Sequence, residues 1–170
     1  GDRPSANLNR FGFYSDLVYD AKTGKWFALS DRGPGGGLID YATRLQRLRI
    51  PHDPVTGGIG NPVIERTILF KAADGKAFNG LNPLLLNGRT DALGLSFDPE
   101  GVAIGNGGHF YIADEYGPSI YEFTSSGQFI RAFASPQNLL PRTATGTPNF
   151  VDGRPTVVNG RQDNRGFEGL

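Results

Sequence analysis

FDPEGVAIGNGGHFYIADEYGPSIYEFTSSGQFIRAF, Phe97–Phe133, decides the fold. It reads as four short strands in a row, Val102–Ile104, Phe110–Ala113, Ser119–Phe123 and Phe129–Phe133. The breaks between them are Asn106-Gly107-Gly108, Gly117-Pro118 and Ser125-Ser126-Gly127. Apolar or aromatic runs punctuated by Gly, Pro, Asn and Ser are the signal of successive hairpins. Four antiparallel strands in sequence form a meander, the unit of a propeller blade.

The charges of this stretch are one-sided. Between Thr90 and Ile130 stand Asp91, Asp98, Glu100, Asp114, Glu115 and Glu122, with no Lys or Arg, although the whole chain carries 17 residues of each sign. Glu100 opens the first strand, and Asp114-Glu115 closes the second. Those two ends lie side by side in an antiparallel pair. Carboxylates crowded beside a β core repel unless protons or a cation neutralise them. A hard divalent ion with oxygen ligands, calcium first, meets that need. Taken alone, the spacing leaves open that these are solvated loop acids.

Working outward, Phe13–Tyr19 and Lys25–Ser30 form an earlier strand pair around the turn Ala21–Gly24, and Arg44–Ile50 and Val63–Phe70 complete a first meander. Tyr41–Ile50 is the one segment whose pattern competes as a helix. Twenty-five Gly and 12 Pro in 170 residues fit many turns and short strands. Trp26 reads as core packing between sheets. Turn chemistry recurs in the following connector at Asp74-Gly75, Asn82-Pro83 and Asn87-Gly88.

A repeat runs through the chain. Phe167-Glu168-Gly169-Leu170 echoes Pro99-Glu100-Gly101-Val102, with Tyr14-Ser15-Asp16-Leu17 a looser copy. Ser30-Asp31-Arg32-Gly33-Pro34 echoes the stretch Ala113–Pro118. Glu100 lies 84 residues after Asp16, and Asp114 lies 83 after Asp31. A four-strand unit repeating with an acid at the head of its innermost strand is a propeller signature. The expected fold is therefore all-β, a β-propeller of four-stranded antiparallel blades. Blades are expected over about residues 10–70 and 96–134, joined by connectors 71–95 and 135–163, with a further blade beginning at 164–170. A ring needs four or more blades, so this chain is expected to supply roughly half of one. Its partner would be the remaining half, as a second chain or a missing portion. The absence of any Met points the same way, to a processed chain.

Several classes are excluded. Net charge is zero and there is no basic block, which argues against nucleic-acid binding. No apolar run, Leu84–Leu86 included, is long enough to span a bilayer. No Cys is present, so thiolate sites and disulfides are absent. His52 and His109 are far apart and do not make a His-based zinc site. The Gly35–Gly37 loop lacks the Gly-Lys-Ser/Thr of a phosphate loop.

The motif set Asp98–Ala103, Ala113–Phe123, Ser30–Pro34 and Asn164–Leu170 resembles the phytase-like, "esterase-like activity of phytase", family. That resemblance implies a secreted or periplasmic β-propeller. More distantly the pattern is similar to calcium-dependent propeller phytases, in which two glutamates at such positions face calcium. By that resemblance Glu100 and Glu115 are the leading metal ligands, joined by Glu168, Asp31 and Asp114. Asp16 is a weaker candidate, because Gly does not follow it. Arg32 and Arg165, each beside a motif acid, would hold a phosphoryl oxygen of a small phosphorylated or ester substrate. The implied activity is calcium-dependent phosphoester hydrolysis. A gluconolactonase-like lactone or ester hydrolase, or a non-enzymatic propeller braced by calcium, remains open. No Ser-His-Asp or Cys-His arrangement points to a covalent nucleophile.

Overall fold

The computed structural model describes residues 14–83 and 94–170. Phe13, Leu84–Leu86, the Asn87-Gly88 turn and Asp91 lie outside the described residues, as does the start of the first expected blade. The described chain forms two four-stranded antiparallel sheets, each a simple meander. The first runs β1 (Tyr14–Asp20), β2 (Lys25–Ser30), β3 (Arg44–Arg49) and β4 (Val63–Leu69). The second runs β5 (Pro99–Ile104), β6 (Phe110–Asp114), β7 (Ser119–Phe123) and β8 (Phe129–Ala132). Among the described residues there is no α-helix, and hence none long and apolar enough to cross a membrane. The segment whose pattern competed as a helix is β3, held between β2 and β4.

Local chemistry sets each hairpin. At the β1–β2 turn the Asp20 carboxylate accepts from the Lys22 N–H at 3.0 Å and the Thr23 hydroxyl at 2.6 Å. Side-chain bonds of this kind close Asx turns. The β5–β6 connection is a single 3-10 turn, Asn106–Gly108.

The two sheets pack through an aromatic core. Phe97 is fully buried and its ring meets those of Phe70, Phe78, Tyr121 and Phe123 at 5.2–5.9 Å between centroids. Phe27 from β2 reaches Phe110 of β6 at 5.1 Å. Trp26 is not part of this interface. It is half-buried on its own sheet, against Tyr19 of β1 at 4.9 Å. The first strands of the two sheets are neighbours, and the Asp16 carboxylate of β1 accepts from the Val102 N–H of β5 at 2.8 Å.

The connectors carry more order than their composition predicts. Residues 71–83 pair back onto the first sheet and its neighbour through Ala42↔Asn79 and Asn79↔Ser96. Within 135–163 a small two-stranded sheet forms from β9 (Arg142–Thr143) and β10 (Val157–Asn159). The last seven residues form no strand; Gly169 and Leu170 lie against Gly101 of β5. A Cβ at Gly101 would stand 2.6 Å from the Gly169 carbonyl carbon and the Leu170 nitrogen. Crowding therefore explains the glycine at 101, whereas a Cβ at Gly169 would meet nothing within 4 Å.

Because Phe97 sits where the sheets meet, Phe97→Ala is expected to cost about 3–5 kcal/mol of stability. Urea unfolding measures it; a loss below about 1 kcal/mol would contradict this packing.

Candidate metal centre

Asp98, Glu100 and Glu115 each place a carboxylate oxygen within 4.8 Å of the others. Three backbone features bring them together. Asp98 immediately precedes β5 and is fully buried. Glu100 occupies a β-bulge, since Pro99 pairs with Asp114 and Gly101 with Ala113, leaving Glu100 without an opposite residue. A bulge re-aims the extra side chain and is common beside functional sites. Glu115 follows β6, and its N–H donates to the Asp98 carbonyl at 2.9 Å.

The first sheet repeats this construction. Tyr14 pairs with Ser30 and Asp16 with Leu29, so Ser15 is the bulge residue of β1. Strand register thus makes Ser15 the counterpart of Glu100, and Asp31 the counterpart of Glu115. The Ser15 hydroxyl lies near enough to Glu100 to favour its charged form. Asp31 is half-buried beside the cluster, one oxygen accepting from the Gly33 N–H at 2.6 Å. Asp16 is committed elsewhere, to the Val102 and Leu17 N–H groups.

The other candidates fall at different distances from this centre. Glu168 is exposed and lies beside Glu115. Asp114 is not brought into the cluster. Its carboxylate accepts from three backbone N–H groups, those of Asp98 at 3.0 Å, Tyr116 at 3.2 Å and Gly117 at 3.1 Å. That arrangement fixes the loop carrying Glu115. Arg165 is exposed, with no ion pair among the described residues, although Gly166 beside it packs on the Glu115 carbonyl.

Arg32 is the cation ion-paired with the cluster. Its N–H donates to Asp98 Oδ1 at 2.9 Å, and its guanidinium lies 3.2 Å from Asp98 Oδ2. The guanidinium also donates to Asn164 Oδ1 and sits 5.9 Å from the Tyr116 ring centroid. Asn164 holds a left-handed backbone, φ 52°, to make that contact. The Arg32 carbonyl is packed so tightly on Gly80 that a Cβ there would stand 1.9 Å away. The pair geometry leaves Asp98 Oδ2 without a hydrogen bond despite full burial.

Arg32, with the buried Arg161 also in the field of Asp114 and Glu115, does not balance these acids. Burial first, then Glu100 and Asp31, push Asp98 up to about 7 against the pull of Arg32. Burial, then Asp98 and Glu168, push Glu115 up to about 7. Burial and neighbouring carboxylates also raise Glu100, and burial raises Asp31. Burial takes Asp114 up to about 8, against the pull of its three N–H donors. The donor set is all oxygen and anionic, and the buried Asp98 Oδ2 has only the Arg32 ion pair and no hydrogen bond. It fits a hard divalent cation of the calcium type, and it lacks the nitrogen or sulfur ligands of a zinc site.

Residues 9–170 match the phytase-like family, described as "Esterase-like activity of phytase". The chain is 38% identical, over an alignment covering 92% of it, to an "Uncharacterized secreted protein" of Arthroderma benhamiae. It spans 38% of that relative's length. No solved structure matches it.

The raised carboxyls set a pH dependence. From their ordinary values of 3.8 and 4.5 up to about 7, Asp98 and Glu115 hold protons in the folded chain that the unfolded chain has released. Stability without metal therefore falls as pH rises through that window. Chelated protein is expected to melt lower at about pH 8 than at about pH 5, with a shallower fall in Glu115→Gln. A melting temperature that rises over that range would contradict the clustering.

Proposed function

This chain belongs to the phytase-like family, and we propose that its acidic cluster is the calcium-holding part of a secreted phosphoester hydrolase. The observation that carries the reading is the convergence of Asp98, Glu100 and Glu115 within 4.8 Å beside a fixed arginine. Asp98, Glu100 and Glu115 hold the ion, with Asp31 and Glu168 at its margin. Bound calcium supplies Lewis acidity and charge neutralisation for an anionic substrate. Arg32 is held by Asp98, Asn164 and Tyr116, so its guanidinium is oriented before substrate arrives. A planar fork so fixed binds phosphoryl oxygens in two-point fashion and stabilises developing negative charge. Arg165, exposed next to Gly166, which packs on the Glu115 carbonyl, adds a second positive charge for the substrate. The fold we infer is a β-propeller whose further blades come from the rest of the protein. In support, β1 and β5 lie side by side as first strands, and Leu17 and Tyr19 of β1 remain 47% and 49% exposed. Secretion is proposed from the printed description of the relative.

A second reading has its own support. The cluster draws on both sheets, through Asp31 from one and Glu100 and Glu115 from the other, so an ion there would also brace their junction. Calorimetric titration with calcium, melting, and phosphate release from a phosphomonoester separate the two. The hydrolase reading expects calcium to support turnover, Glu100→Gln and Glu115→Gln each to weaken calcium binding more than about tenfold, and Arg32→Gln to lower turnover while calcium still binds. Calcium-dependent melting without turnover would leave only the brace. Turnover indifferent to chelator would contradict the metal role in catalysis.

A further inference from the structure

The opposite end of the first sheet carries the opposite charge. The six residues of β2 run from Lys25 to Ser30, about 20 Å, so its start is remote from the carboxylates that follow its end. There a cleft of about 330 Å³ opens between the two sheets, with Lys25, Arg47 and Arg66 around a floor of Phe27, Ile68 and Phe110.

The cationic side chains of this cleft are under-balanced. Arg47 and Arg66 are direct cross-strand partners on β3 and β4 and both line the cleft. Like charges directly opposite one another destabilise a sheet. Glu65 is shared among three cations, Lys25 Nζ at 3.0 Å, Arg47 Nε at 3.4 Å and Arg49 Nε at 3.7 Å. Asp20, the acid among the residues that line the cleft, is bonded to Thr23 and Lys22 of its own turn. Arg66 has no carboxylate partner among the described residues, and the buried Nε of Arg47 makes no hydrogen bond. A repulsive pair kept beside a cleft, with donors to spare, is the arrangement that an anion relieves.

We propose that this cleft is a binding site for a small, multiply charged oxyanion of the phosphate class, clamped by Arg47 and Arg66 and steered by Lys25. Two guanidinium forks match such oxygens in geometry as well as charge. The apolar floor excludes water beneath the anion and strengthens those contacts. The site is separate from the acidic cluster and does not rest on the hydrolase reading.

Pyrophosphate titrated into metal-free protein tests it, with sodium chloride at matched ionic strength as the control. The expected result is saturable binding and a saturable rise in melting temperature that the chloride control does not give. Arg66→Gln and Arg47→Gln each weaken that binding about tenfold or more, and Arg66→Gln without anion melts no lower than the parent, since it removes a repulsion. Arg32→Gln leaves pyrophosphate affinity unchanged. No saturable binding by the parent, parent-like affinity in both cleft variants, or loss of binding in Arg32→Gln would each overturn the assignment.

Discussion

A carboxylate with no solvent contact must find its balance inside the protein, and Asp98 is where this structure meets that demand. Its side chain takes the Arg32 N–H and guanidinium, and its carbonyl takes the Glu115 N–H. It thereby ties the exit of β2 to the start of β5 and the exit of β6. Those three points bring Asp31, Glu100 and Glu115 beside it. Each acid then raises the cost of ionising the next, and the Arg32 guanidinium offsets only part of it. An uncompensated buried charge is expensive, so the loops that create the cluster also create the need for protons or a cation to neutralise it. Fold and site are one electrostatic problem at the junction of two sheets.

The meander architecture was legible because each turn announces itself. Lys25–Ser30 and Ser119–Phe123 have the bounds that the turn residues imply, and the other strands differ by a residue or so at their ends, except β5, which starts at Pro99, three residues before the expected Val102. The charge imbalance marked Glu100 and Asp114-Glu115, and the family resemblance singled out Glu100 and Glu115. What the sequence did not carry was the bulge. Successive strand residues face opposite ways, so a one-residue irregularity decides which neighbour enters the site. The bulges at Glu100 and Ser15 make Ser15, not Asp16, the counterpart of Glu100. In the same way Asp114 and Glu115 are adjacent, yet one is consumed by backbone N–H groups while the other reaches the cluster. Asp98 stood within the acid-only stretch but outside the repeated motif. Its position directly before Pro99-Glu100-Gly101 was the signal that would have found it. Arg32 was legible as a cation beside a motif acid, whereas its anchoring by Asn164 joins segments 132 residues apart.

The same sheets separate charge along their strands. One end gathers carboxylates and the other gathers Lys25, Arg47, Arg49 and Arg66. A chain of zero net charge therefore presents two ends of opposite sign. Overall composition conceals that polarity, because it depends on strand direction: β2 starts in one field and finishes in the other.

The account stands on carboxylates converging around a bound ion. An anomalous difference map from crystals of the protein grown with terbium, a calcium substitute with a strong signal, tests it most directly. The account predicts a peak in contact with the side chains of Asp98, Glu100 and Glu115. Side chains of these three residues diverging into solvent, with no peak between them, would contradict it.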